Sequence, residues 1–191
     1  MLIKLLSTPD KKHLIDLAKL LALSDKPLLW DGKTAAEVNA GTNLDALSIQ
    51  EGEHERELIA EMEQLAGINQ QSSSFVWPGR RTDVQSSLPE AVKTFPITQA
   101  DRPESRAQAA KTVLKELLKN KKCDQPSSPK VMLFELILVS LRGGCISSIE
   151  WALLKEFQQH HKLEDFIFDD LLERAEVLNK EVNKTISIVL E

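Results

Sequence analysis

The residues best typed and spaced for chemistry are three acids around a glycine. In "SDKPLLWDGKTAAE", residues 24–37, Asp25, Asp31 and Glu37 bracket Gly32. A hard cation such as Ca²⁺ or Mg²⁺ needs several carboxylate or carbonyl oxygens converging on one loop, and this stretch can supply them. The same residues also read as an Asp-Gly turn followed by an acid early in a helix. A second acidic set, Asp165, Asp169, Glu173 and Glu176 with Asp170 beside it, repeats at helical spacing. Paired carboxylates do acid–base work only when burial pushes their pKa values apart. A continuous row on an amphipathic helix is otherwise its wet face.

His160 and His161 can join Asp165 or Asp169 as ligands of a transition metal. Adjacent helical side chains point about 100° apart, and histidines near a helix C-terminus are also favoured by the dipole. His13 and His54 stand alone in the sequence. Trp77-Pro78-Gly79-Arg80-Arg81 joins an aromatic to two cations. Trp77, Arg80 and Arg81 are therefore the candidate partner-binding residues, because Trp and Arg dominate interface energetics. The alternative is a loop tryptophan packed on its own core. Cys145 and Ser147 have no base nearby in sequence, and there is no phosphate loop, C-x-x-C pair or nucleophile elbow.

The elements that must position these residues read as helices. Thr8-Pro9-Asp10 carries a hydroxyl cap, a proline and an acid in the order of a helix start. Leu14, Leu17, Ala18 and Leu21 then share a face, and Ser24–Pro27 ends it. Residues 28–50 read as irregular, with a short helix near 34–39. A helix over 51–66 buries Leu58, Ile59, Met62, Leu65 and Ala66 and stops at Gly67. Residues 68–103 hold four of the eight prolines and show no sustained period. They are expected to be an irregular segment pinned to the core by Phe75, Val76, Trp77, Phe95 and Ile97.

Helices resume at 104–121, with Val113, Leu114, Leu117 and Leu118 inward. Arg106, Lys111, Lys115, Lys119, Lys121 and Lys122 form a basic face, which reads as a solvated face or as a dock for an acidic partner, anionic lipid or nucleic acid, and which the acidic helix at 51–66 can answer within the chain or across a dimer. The apolar run 131–141 is expected to be a central helix touched on all sides. In "LRGGCISSIE", residues 141–150, two glycines turn the chain, and Ser147 with Glu150 matches the S-x-x-E capping box. A helix over 148–160 buries Ile149, Ala152, Leu153 and Phe157. A last helix over 163–183 buries Phe166, Ile167, Leu171, Leu172, Ala175, Leu178 and Val182. The apolar tail TISIVL, 185–190, either extends that helix or adds as a strand, and it is a candidate homodimer contact.

The chain of 191 residues is expected to form a single all-α domain over 1–191. This is a helical bundle with helical parts at about 9–67 and 104–184 and an irregular insertion at 68–103. Two cysteines make no disulfide framework, and MLIKLLSTPD has no secretory h-region. The expectation is a reduced, cytoplasmic protein. No apolar run is long enough to span a bilayer. A net charge of −5 and only 5% aromatics argue against nucleic acid as a partner.

"VMLFELILVSLRGGCISSIEWALLKEFQQHHKLEDFIFDDLLERAEVL" resembles the C-terminal half of TerB-like proteins, the tellurite-resistance family. There an apolar helix ends in an Asp-Gly turn and a glutamate opens the next helix. "HLIDLAKLLALSDKPLLWDGKTAAE" is similar to the family's first such unit. The resemblance covers about 13–37 and 130–180. It carries over Asp31, Gly32 and Glu37 for the first turn, and Gly144 and Glu150 for the second. Gly143 stands where the family's second aspartate falls, and KPLLW is inserted in the first unit.

The resemblance implies a non-catalytic binding or scaffold module. That module would be tied to stress response, peripheral membrane contact and a divalent cation, with a protein partner or a second copy. The alternative is a metal-dependent enzyme using carboxylates between the helical core and 68–103.

Overall fold

In the computed structural model the described residues are 2–50, 52–67, 83–119 and 121–190, without the side chains of 54 and 55. Of these, 68% are helical. With one two-stranded sheet besides, that makes the architecture all-α. A short 3-10 turn, Ile3–Leu5, leads into α1 (Thr8–Ser24). Then come β1 (Leu28–Trp30), β2 (Leu47–Ile49), α2 (Glu53–Ala66), α3 (Val84–Lys93) and α4 (Ile97–Ala100). The chain closes with α5 (Pro103–Leu118), α6 (Ser128–Leu141), α7 (Ser148–His160) and α8 (Asp165–Leu190).

The apolar run is a buried helix. On α6, Met132, Leu133 and Ile137 are fully covered. The helix packs against α1, α7, α8 and the 3-10 turn. Each such side chain contributes roughly 1.5–3 kcal/mol by leaving water. Glu135 is buried as completely as its neighbours and accepts the backbone N–H of Leu2. Burial pushes its carboxyl above the usual range, against that bond. The carboxylate thus ties the first residues of the chain to the central helix.

Ser7, not Thr8, caps α1: its hydroxyl accepts the N–H of Asp10 at 3.3 Å. Pro9 then falls in the first turn, where its missing N–H costs nothing. Arg106 serves the other end of α1. The sequence places it on a basic face, but it is 3% exposed. Its guanidinium donates to the carbonyls of Leu23 at 3.3 Å and Ser24 at 2.8 Å. A cation there satisfies orphan acceptors at the negative end of the dipole.

Residues 28–50 form a hairpin, not a short helix. β1 and β2 pair antiparallel, with Trp30 opposite Leu47. Around 34–37 the chain makes a single turn that goes no further. Within the segment expected to be irregular, α3 and α4 form over its described part, and 68–82 lie outside the described residues. Val84, Leu88 and Val92 recur every four residues and are almost wholly buried, a helical stripe obscured by Pro89 inside the helix. A proline there costs about 3 kcal/mol, which packing against α1 and α5 offsets. Asp83 caps α3. Phe95 and Ile97 pack on the core, while Phe75, Val76 and Trp77 lie outside the described residues.

Among the described residues most of the buried apolar side chains form one cluster running from Ile3 to Ala175. Among the described residues no helix is long and apolar enough to cross a membrane.

Candidate interaction surface

α8 is where burial departs most from the sequence pattern. Of the residues expected inside, only Ala175 is fully covered, joined by Phe168. Phe166 is 62% exposed, Leu178 43% and Val182 47%. The helix also runs on through 185–190, so the apolar tail extends it and adds no strand. From 176 to 190 no residue is buried, and from 180 onward every one is exposed.

One stripe connects the covered and uncovered parts. Phe168 and Ala175 belong to the core, and Leu171 packs against it half-buried, on the helix that lies against α6. Leu178, Val182, Ile186 and Val189 continue the same three-and-four spacing. The body covers this stripe only up to Asn179, whose amide donates to the Leu141 carbonyl at 3.2 Å. That bond satisfies the end of α6.

Beside the stripe lies an open groove of about 680 Å³, lined by Leu141, Cys145, Ile146 and Trp151 and, across it, by Asn183 and Lys184 of α8. Its floor is the corner between α6 and α7. Gly144 turns the chain there at φ 98°. Ser147 and Glu150 close the capping box in both directions, at 3.2 Å and 2.8 Å. Cys145 is exposed at the rim. Trp151 meets Phe168 edge-on at 5.3 Å, and the Lys155 ammonium sits 3.7 Å over the Phe168 ring. Gln158 bonds Leu163 and Asp165, which fastens the start of α8 to α7.

The three acids proposed for a cation each have other partners. Asp31 and Gly32 both take positive φ, 53° and 75°, and the bridge Trp30–Lys33 closes over them. This is the two-residue reversal for which Asp-Gly is the favoured pair. The Asp31 carboxylate accepts the Asn43 N–H at 3.4 Å. Glu37 accepts both the N–H and the hydroxyl of Thr34, at 2.9 and 2.8 Å. Those bonds hold its carboxyl below the usual range. Asp25 follows α1, 4.0 Å from the Lys26 ammonium. Among the described residues no three His, Cys, Asp or Glu side chains gather as a metal-binding group. Trp77, Arg80 and Arg81 lie outside the described residues.

The acidic row of α8 faces water at Asp165, Asp169, Glu173 and Glu176. Among the described residues, these ion pairs of the acidic and basic helices run to other elements. Glu63 of α2 pairs with Lys19 of α1 at 2.8 Å and Glu61 with Arg142 at 3.2 Å. Lys111 and Lys115 of α5 flank Glu156 of α7 at 3.8 and 3.4 Å.

One constellation is invisible in the sequence. At one end of the bundle, α1 contributes Asp10 and His13, the connector between α5 and α6 contributes Lys121, Cys123 and Asp124, and α7 ends in His160 and His161. Asp10 is fully buried, accepts the Asp124 N–H at 3.2 Å and lies 4.0 Å from the Lys121 ammonium. His13 is buried, and its Nε2 and that of His161 find no hydrogen-bond partner among the described residues. Burial first, then the Lys121 charge, lowers the His13 pKa to about 4. Burial and His160 do the same for His161. Burial and Asp10 raise the Cys123 thiol, which leaves it a poor nucleophile. Asp10 and His13 lie more than a hundred positions from the other members, so no spacing rule could have joined them.

No family model, curated protein or solved structure matches the chain.

Proposed function

We propose that this chain is a non-catalytic helical binding module, of the TerB-like type that its two turn motifs suggest, and that it binds a protein partner through α8. The observation that carries this reading is the apolar stripe that continues past Asn179 exposed, with none of the described residues over it. A lone helix of about 12–15 residues is marginal in water, and helices in proteins draw their stability from a packed face. A helix that keeps its apolar face beyond its own core is built to be completed by another surface.

A photo-crosslinking residue at Ile186, compared with one at Ser187 on the groove side, tests this in the native cell. Adducts should form from 186 and disappear when Val182 is changed to Glu. Equal adducts from both positions, or none from 186, would refute the reading.

A further inference from the structure

Two imidazoles at one end of the bundle sit where a proton is hard to accommodate. His13 on α1 is 6% exposed, and neither its Nε2 nor that of the half-buried His161 has a hydrogen-bond partner among the described residues. The titratable groups that face His13 are Asp10 one turn back on α1, Lys121 on the connector between α5 and α6, and His160 and His161 closing α7. The His161 ring packs 4.5 Å from Phe157 and 5.0 Å from His160. Asp124 adds a carboxylate beside Cys123 on the connector. Asp10 is already shared: it accepts the Asp124 N–H at 3.2 Å and lies 4.0 Å from the Lys121 ammonium. Protonating His13 and His161 therefore adds two positive charges beside Lys121, in a place where burial withholds the water that would solvate them.

The connector is the element least able to resist that charge. Residues 122 and 124–127 are exposed and Cys123 is only half-buried. Besides the ion pair with Asp10, it is held to α1 by the Asp124 N–H on Asp10 and by the Lys121 ammonium, which donates to the Pro9 carbonyl at 3.2 Å. Few buried contacts and an exposed backbone mark the low-stability end of a fold. We infer that this junction is an acid-operated latch, in which proton uptake by His13 and His161 frees residues 121–124 from α1 before the bundle itself unfolds. The linkage runs one way, because the open junction binds protons that the closed one excludes. With imidazoles at about 4 when closed and about 6.5 when open, His13 alone multiplies the opening equilibrium about 20-fold between pH 7 and pH 5. His161, less buried, adds a smaller factor. The latch lies at the start of α6, whereas the bare stripe of α8 begins beside its end, so the two readings stand or fall separately.

The test is amide exchange of the full chain, read by NMR at about pH 7, 6 and 5, with each rate divided by the unfolded-chain rate at that pH. The Asp124 amide must leave Asp10 to exchange, and it should lose protection about 20-fold or more between pH 7 and pH 5. Low urea should leave its exchange unchanged, because a local opening exposes little surface. The amides of Leu136 and Ile137 in α6 should exchange only through urea-dependent global unfolding. His13→Phe should remove most of the pH dependence at Asp124; where that variant fails to fold, His161→Phe should remove the smaller part, and the wild-type measurements still decide. Protection at Asp124 that stays flat or rises as the His13 ring titrates overturns the inference, for the unbonded Oδ1 of Asp10 has then taken the new N–H and tightened the junction. Loss of protection at Asp124 and in α6 together, with the same urea dependence, overturns it as well, since acid then simply unfolds the bundle. A pH dependence that survives intact in both variants places the titrating group elsewhere and has the same consequence.

Discussion

His13 and His161 are held as neutral imidazoles at the junction of α1, the connector and α7, and this makes the fold sensitive to acid. Their folded pKa values, about 4, lie below the unfolded value of about 6.5. The native state therefore binds fewer protons than the unfolded one. Their contribution is complete above pH 6.5 and is lost as pH falls toward 4. For His13 the loss is on the order of 3 kcal/mol; His161, less buried, contributes less. Burial raises the carboxyls of Glu135 and Glu150, which works in the opposite direction, weakening the fold as pH rises past their unfolded values. Comparing wild type with His13→Phe isolates the imidazole. The difference in denaturation free energy between the two should shrink or reverse as pH falls from 7 to 4.5. A constant difference would show that His13 does not titrate with folding.

A residue's role here is set by what lies across from it. Asp31 reads equally as a cation ligand or a turn residue until the Trp30–Lys33 bridge is seen. Its carboxylate and that of Glu37 are already engaged by backbone donors within the hairpin. Millimolar Ca²⁺ or Mg²⁺ is accordingly expected to leave the melting temperature unchanged. A bound ion at 100 times its dissociation constant would add about 2.7 kcal/mol, a shift that thermal melting resolves easily. Such a shift, abolished by Asp31→Asn, would restore the cation site.

At the scale of the element, α6 and α7 show local and global signals in agreement. The run 131–141 lacks the spacing of a one-sided helix because most of its surface is covered, with only the face of Val131, Phe134 and Leu138 partly open. The corner after it combines a left-handed glycine with a capping box. Ser147→Ala should cost about 1 kcal/mol, since one N–H at the start of α7 loses its acceptor. Leu133→Ala should cost about 2–5 kcal/mol, since the cavity would open in the centre of the bundle. Urea denaturation checks both, and near-equal costs would mean that α6 is not the central element. α3 shows the reverse case. Its stripe Val84–Leu88–Val92 is legible only once Pro89 is accepted inside a helix, which tertiary packing allows and local propensity does not.

For the whole molecule, helical class, the order of most helices, the buried α6 and the capping box followed from the sequence alone. Those features depend on contacts within a few residues, on turn chemistry and on the side-chain period, and the chain carries that information locally. Tertiary structure decided the rest. It carried Arg106 from an expected wet face to the carbonyls of α1, and it brought His13 to His161 across nearly the whole chain. It also left the apolar stripe of α8 bare beyond Asn179. Periodicity reveals that a face is apolar; what covers the face, or whether anything in the same chain does, depends on where the other elements end in space.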